Sequence, residues 1–185
     1  SEFPAEAVSL AEAAQPVTLG VRDDLRPIPL VTIDGSDARD FDDAVWAERD
    51  PEKADGWHAI VAIADVAWYV RAEDALDREA ETRGNSVYFP DRVVPMLPEA
   101  LSNELCSLKP GVDRACMAVH LWFDDNGHLY KHRFVRGLMR SAARLTYEEV
   151  QQSIDAKPSE HTAPLLDPVL RPLYGAFAAL DSEDV

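Results

Sequence analysis

Residues 113–141, DRACMAVHLWFDDNGHLYKHRFVRGLMRS, restrict the fold more than any other stretch. Two strand-like runs flank Asp125-Asn126-Gly127, a tight-turn signature that asks for positive φ. A chain with so long a hairpin is built on a sheet with antiparallel pairs. Further β-rich runs lie upstream. VTI at 31–33 leads into an acidic loop, DAVWAER at 43–49 leads out of it, and WHAIVAIADVAWYV at 57–70 reads as one long extended run.

Helical signals separate these runs. AEDALDREAETRG at 72–84 carries acids early and Gly84 where a helix would end. Residues 99–106 read as a short helix after an extended stretch broken by Pro90, Pro95 and Pro98. Thr146 with Glu149 three residues on is a capping box, and LDPVLRPLYGAFAAL at 166–180 reads as a last helix despite Pro172. Residues 1–30 are weakly periodic, with Pro27 and Pro29, and are expected to form a linker or strap. Residues 31–185 then form the domain proper. The fold class is α+β, with a mixed or mostly antiparallel sheet and helices packed around it.

The acidic loop raises the chemical question. VTIDGSDARDFDDAV, residues 31–45, sets Asp34, Asp37, Asp40, Asp42 and Asp43 within ten positions. Carboxylates this close repel, and desolvating one is costly. Oxygen donors converging on one spot suit Mg²⁺ or Mn²⁺, and four carboxylates suffice for two ions of the kind that clamp attacking and leaving oxygens in phosphodiester cleavage. A solvated turn is the ordinary alternative, opposed by the interleaved Ile33, Phe41, Ala44 and Val45. An EF-hand loop fails on pattern, lacking glycine at the sixth position and glutamate at the twelfth. DFDDA at 40–44 only approaches the phosphatase nucleophile motif, with Ala44 where Thr or Val is wanted.

The charge of −16 argues against a polyanion partner, unless bound cations invert the local field or basic surface lies elsewhere in a longer protein. Two cysteines, Cys106 and Cys116, have no metal-ligand spacing and read as small buried hydrophobes in a reduced, cytoplasmic protein. No apolar run approaches the roughly 20 residues needed to cross a membrane. The five histidines show no metal spacing and are expected mostly at the surface. Phe89 and Trp68 are expected in the core.

DGSDARDFDDAV, VAIADVAWYV, LDREAETRGNSVYFPDRVVPMLPEALSNELCSL and ARLTY resemble the catalytic RNB domain of the RNase II/RNase R exoribonucleases, the RNase R branch more closely. The resemblance implies processive, hydrolytic 3′→5′ degradation of RNA to nucleoside 5′-monophosphates with Mg²⁺, for which Mn²⁺ is a possible substitute. It places the family's four carboxylates on Asp34, Asp40, Asp42 and Asp43, with Asp42 nearest the chemical step and Asp37 outside the quartet. It also places on Tyr88 the tyrosine that stacks on the base at the RNA 3′ end. Asp65 reads as structural, and Arg39 is left between an aspartate and a phosphate. The implied partner is the 3′ end of single-stranded RNA, and the implied state a monomer. Family members carry OB-type domains on both sides and a longer catalytic domain with a further arginine. The chain is therefore expected to be a piece, weak or inactive alone. The alternative is an RNB-like fragment that binds metal, RNA or protein without turnover.

Overall fold

The computed structural model describes residues 2–89 and 91–181. In chain order the elements are α1 (Ala5–Ala13), β1 (Asp23–Asp24), β2 (Val31–Asp34), β3 (Asp43–Arg49), β4 (Gly56–Ala64), α2 (Val66–Tyr69), α3 (Ala75–Arg83), β5 (Val87–Tyr88) and β6 (Val93–Val94). A π-helical turn (Ala100–Leu105) follows, then β7 (Asp113–Asp124), β8 (Leu129–Arg140), β9 (Ala143–Thr146), α4 (Tyr147–Ile154) and α5 (Arg171–Asp181).

Seven strands form one sheet in the order β1-β8-β7-β4-β3-β2-β9. The inner pairs are antiparallel, and the two edge pairs, β1 with β8 and β2 with β9, are parallel. The fold is α+β with a mixed sheet, as the sequence led us to expect. The β7–β8 hairpin turns where Asp125-Asn126-Gly127 stands. Asp124 Oδ1 accepts from the amides of Asn126 and His128, at 2.9 and 3.0 Å, and Gly127 takes φ 81°. That angle is the left-handed region a side chain disfavours.

Both sheet faces are covered. On one, Ile60, Ala62, Cys116, Ala118 and Met139 pack under Leu76, Leu101 and Leu108. On the other, Trp57 and Phe123 meet Ala176 and Ala179 of α5. Gly175 lets that helix close, because a Cβ there would lie 2.5 Å from the Trp57 ring. Pro172 is tolerated where a π-helical turn, Leu166–Leu170, runs into α5, so the change of hydrogen-bonding pattern falls at the proline. Burial pushes both thiols up, Cys106 to about 12 and Cys116 to about 11, as expected of small buried hydrophobes.

Local signals were met at α3, which Asp74 caps and Gly84 ends, and at α4, where the Thr146–Glu149 capping box is complete. Elsewhere the chain departs from expectation. Residues 57–70 are strand only as far as Ala64, then turn into α2. The break is at Asp65, whose buried carboxylate accepts from Arg22 Nη2 at 2.7 Å while its amide bonds to Ala115 O. Arg22 and Asp65 thus tie the N-terminal segment to the sheet, a structural role for Asp65. The first 30 residues include α1, whose Ala7 and Ala11 form a small buried stripe. Trp68 is 42 % exposed rather than in the core, with Arg22 and Arg71 over its ring. His120 is buried, its ring stacked on that of His58, which also stacks on Trp122. Among the described residues no helix is long and apolar enough to cross a membrane.

Candidate active site

Asp34 ends β2 and Asp43 begins the antiparallel β3, so the loop between them, residues 35–42, doubles back over its own start. Its backbone is pinned at the far end. The Phe41 amide bonds to Ser107 Oγ at 3.2 Å, the Phe41 carbonyl accepts from Leu108 N, and the Asp42 carbonyl accepts from Ala64 N. Near the start, Ala38 N donates to Gly35 O and closes a turn. Carboxylates thus sit on a loop whose main chain is held by its neighbours.

Asp34, Asp37, Asp40 and Asp42 line a cleft of about 680 Å³. Asp43 is exposed beside it and acts through its charge. Burial pushes the Asp34 carboxyl up, and the charges of Asp43 and Asp42 add to that push. Asp42 is raised by the same causes in the same order, burial first and then Asp43. Arg144 partly offsets the effect on Asp34. Asp34 Oδ2 is buried and has no hydrogen-bond partner. An orphaned buried carboxylate oxygen is costly unless something cationic meets it. The donor set is therefore right for a hard divalent cation. Among the described residues, no three carboxylate, imidazole or thiol groups stand close enough to hold an ion as they are.

Across the cleft, β5 and β6 form a two-stranded hairpin separate from the main sheet. Tyr88, the last residue of β5, is 62 % exposed, and its hydroxyl donates to Asp40 Oδ2 at 2.8 Å. That hydrogen bond is the main reason its phenol is pushed up. Phe89 is 46 % exposed on the same hairpin, with the Arg92 guanidinium 5.0 Å from its ring centre, and it lines the cleft instead of entering the core. Arg39 also lines the cleft.

Several lining residues were not anticipated from the sequence. Arg92, Glu99, Ser102 and Asn103 come from the hairpin and the π-helical turn behind it. The stretch VYFPDRVVPMLPEALSN holds all of them, so the signal lay in a quoted motif whose side chains had no assigned direction. Arg144 was likewise present only as a letter in ARLTY.

The seven-stranded mixed sheet, with an acidic loop between its antiparallel β2 and β3 and a tyrosine-bearing hairpin opposite, defines an RNB domain. The family model for the RNB domain matches residues 22–183, and the chain belongs to that family. Ribonuclease R of Vibrio parahaemolyticus is 57% identical over 134 residues, covering 72% of this chain and 16% of the relative. Ribonuclease R of Acidithiobacillus ferrooxidans is 50% identical over 181 residues, covering 96% of this chain and 40% of the relative. The solved structure of Mycoplasma genitalium RNase R in complex with ribose methylated single-stranded RNA superposes with a TM-score of 0.87 at 31% identity, over 98% of this chain and 28% of that one. The chain thus spans less than half the length of each of these relatives.

Proposed function

We propose that this chain supplies the aspartate half of a hydrolytic 3′→5′ exoribonuclease site, holding divalent metal on Asp34, Asp40, Asp42 and Asp43 and gripping the RNA 3′ end through Tyr88. One observation carries the reading: Asp34, Asp40 and Asp42, at the start of a pinned loop and on it, share a cleft with the exposed Tyr88, one Asp34 oxygen is buried without a partner, and Asp43 stands beside them. Mg²⁺, as one ion or two, would supply charge neutralisation and an activated water at that cleft. The chain's own residues do the rest. The pinned loop backbone limits how far the carboxylates must move to meet an ion. The exposed Tyr88 ring offers a flat face to a terminal base, a contact worth roughly 1–3 kcal/mol and indifferent to sequence. Arg39 and Arg92 provide cations for phosphates in a cleft that is otherwise acidic. The names of the relatives, ribonuclease R, and the RNA seen with one of them support the substrate class.

Two measurements test this. Calorimetric titration of the chain with Mn²⁺ should show binding that Asp34→Asn and Asp43→Asn each weaken; equal heats from all three proteins would refute the metal site. In a longer chain with the rest of the domain, a 5′-labelled oligoadenylate should shorten stepwise with release of mononucleotides, and Asp42→Asn should stop this while RNA affinity holds. A carboxylate that acts mainly in the transition state costs turnover rather than binding. Metal and RNA binding with no mononucleotide release would favour the non-catalytic alternative.

A further inference from the structure

Arg144 lies on β9, beside β2 in parallel register, with Thr32 opposite it. Its side chain reaches over the acidic loop. Nη2 donates to the carbonyls of Gly35 and Ser36, at 3.0 and 3.1 Å. The guanidinium carbon lies 5.2 Å from the centre of the Phe41 ring. Gly35 and Ser36 begin the loop and Phe41 stands near its end, so one planar group touches both limbs. The opposite side of the loop is held independently, by Ser107 and Leu108 on the Phe41 backbone.

We propose that Arg144 is a positioning residue that clamps the loop 35–42 shut, and so sets the spacing of the carboxylates on its two limbs, Asp34 at the start and Asp40 to Asp43 at the end. The inference rests on the metal reading of the site. Two features favour a clamp over a plain stabilising contact. The carbonyls of Gly35 and Ser36 are backbone groups, so the arginine fixes main chain rather than one rotamer. A lysine ammonium could serve both carbonyls, as the single Nη2 does here, but it has no flat face to lie on the Phe41 ring and so cannot hold the second limb. Outer groups that orient metal ligands commonly matter about 10–100-fold in metal affinity.

The test uses Arg144→Met, which keeps bulk and loses the donors, and Arg144→Lys, which keeps charge and loses the flat group against Phe41. Hydrogen exchange of the chain comes first. Amides of residues 35–42 should exchange several-fold faster in both variants, while peptides from β4 and β7 stay as protected as before. Unchanged loop exchange, or a rise spread evenly over the sheet, would overturn the clamp. Titration with Mn²⁺ alone comes second. Both variants should bind at least about tenfold more weakly than the parent chain. Loosened exchange with unchanged Mn²⁺ affinity would overturn the link to the carboxylates. Full affinity in Arg144→Lys would show that charge, not geometry, is what matters, and would overturn the clamp as well. No Mn²⁺ binding by the parent chain would refute the metal reading and with it the link, and exchange would still decide the clamp.

Discussion

The hairpin of β7 and β8 and the hairpin of β5 and β6 are the same device at opposite extremes. The first has strands of twelve residues, β7 paired along both sides and β8 flanked by β1 at Gly137 and Leu138, with Phe123, Leu138 and Met139 fully buried. The second has strands of two residues, joined to nothing else by strand pairing, with Val87, Tyr88, Phe89 and Val93 all exposed. Apolar side chains of the first are core along β7 and at the end of β8, although Leu129, Tyr130 and Phe134 stay exposed, whereas the second contributes no buried side chain. Stability comes from area removed from water, so the first hairpin contributes it and the second does not. The acidic loop belongs with the second: it gathers charge that opposes folding. The molecule separates a sheet that holds from a cleft that is held.

Removing an aromatic ring from each region should break or sharpen that contrast. Phe123→Ala empties a fully buried position against α5 and should cost about 3–5 kcal/mol in urea unfolding. A loss under about 1 kcal/mol would mean that α5 does not depend on this contact.

The next effect has the opposite sign. Asp34 and Asp42 have carboxyls raised above 3.8 by burial and by each other's neighbours. A raised carboxyl holds its proton more tightly when folded, so its stabilising share is complete below the ordinary range and is lost as pH climbs through the raised values. Asp34→Asn removes that loss. In EDTA at neutral pH the variant should be more stable by about 0.5–2 kcal/mol, with the gain fading as the medium is acidified. Excess Mn²⁺ should reverse the order, since only the parent chain has the full ligand set. A destabilised variant in EDTA would sink the claim that the loop opposes folding.

Between the two regions lies α4, which starts where β9 ends, two residues beyond Arg144. Thr146→Ala removes the hydroxyl half of the capping box, leaving only the Glu149 carboxylate on the amide of residue 146, and should cost about 1 kcal/mol. If thermal unfolding stays two-state, the edge of the site melts with the sheet; a separate early transition would show that it does not.

The two regions were not equally legible. The long hairpin, α3 and α4 follow from local chemistry: alternation, a turn that needs positive φ, caps at fixed offsets. The break after Ala64 does not, because it is made by Arg22 reaching Asp65 across 43 positions. The α1 helix was missed because alanines give almost no amphipathic contrast. The exposure of Phe89 and Trp68 and the burial of His120 reflect which sheet face or hairpin each lands on, and residue type alone gives no such information. At the site, spacing and resemblance together named Asp34, Asp40, Asp42, Asp43 and Tyr88, and all five lie in or beside the cleft. Arg144 was out of reach: the parallel β2–β9 pairing brings it over Gly35, which lies 109 positions earlier in the chain.

The smallest effect on stability is the sharpest probe of the cleft. Tyr88 presents its ring to solvent and its hydroxyl to Asp40. Because it is exposed, Tyr88→Phe and Tyr88→Ala should each change unfolding free energy by no more than about 0.5 kcal/mol, against several for Phe123→Ala. Function should separate what stability does not. Tyr88→Phe keeps a ring for a base and loses only the bond that fixes one oxygen of Asp40. It should leave the end product of oligoadenylate degradation unchanged in a longer, active chain, while raising the Mn²⁺ concentration needed for half saturation. Tyr88→Ala loses both contacts. The grip on short RNA should fail first, because long RNA keeps its other contacts, so degradation should stop at a longer end product with near-normal initial cleavage. If the two variants stop at the same lengthened product, the ring is not what holds the terminal base. If Tyr88→Phe matches the parent in its Mn²⁺ requirement, the hydroxyl of Tyr88 does nothing for Asp40, and the hairpin of β5 and β6 serves the RNA alone.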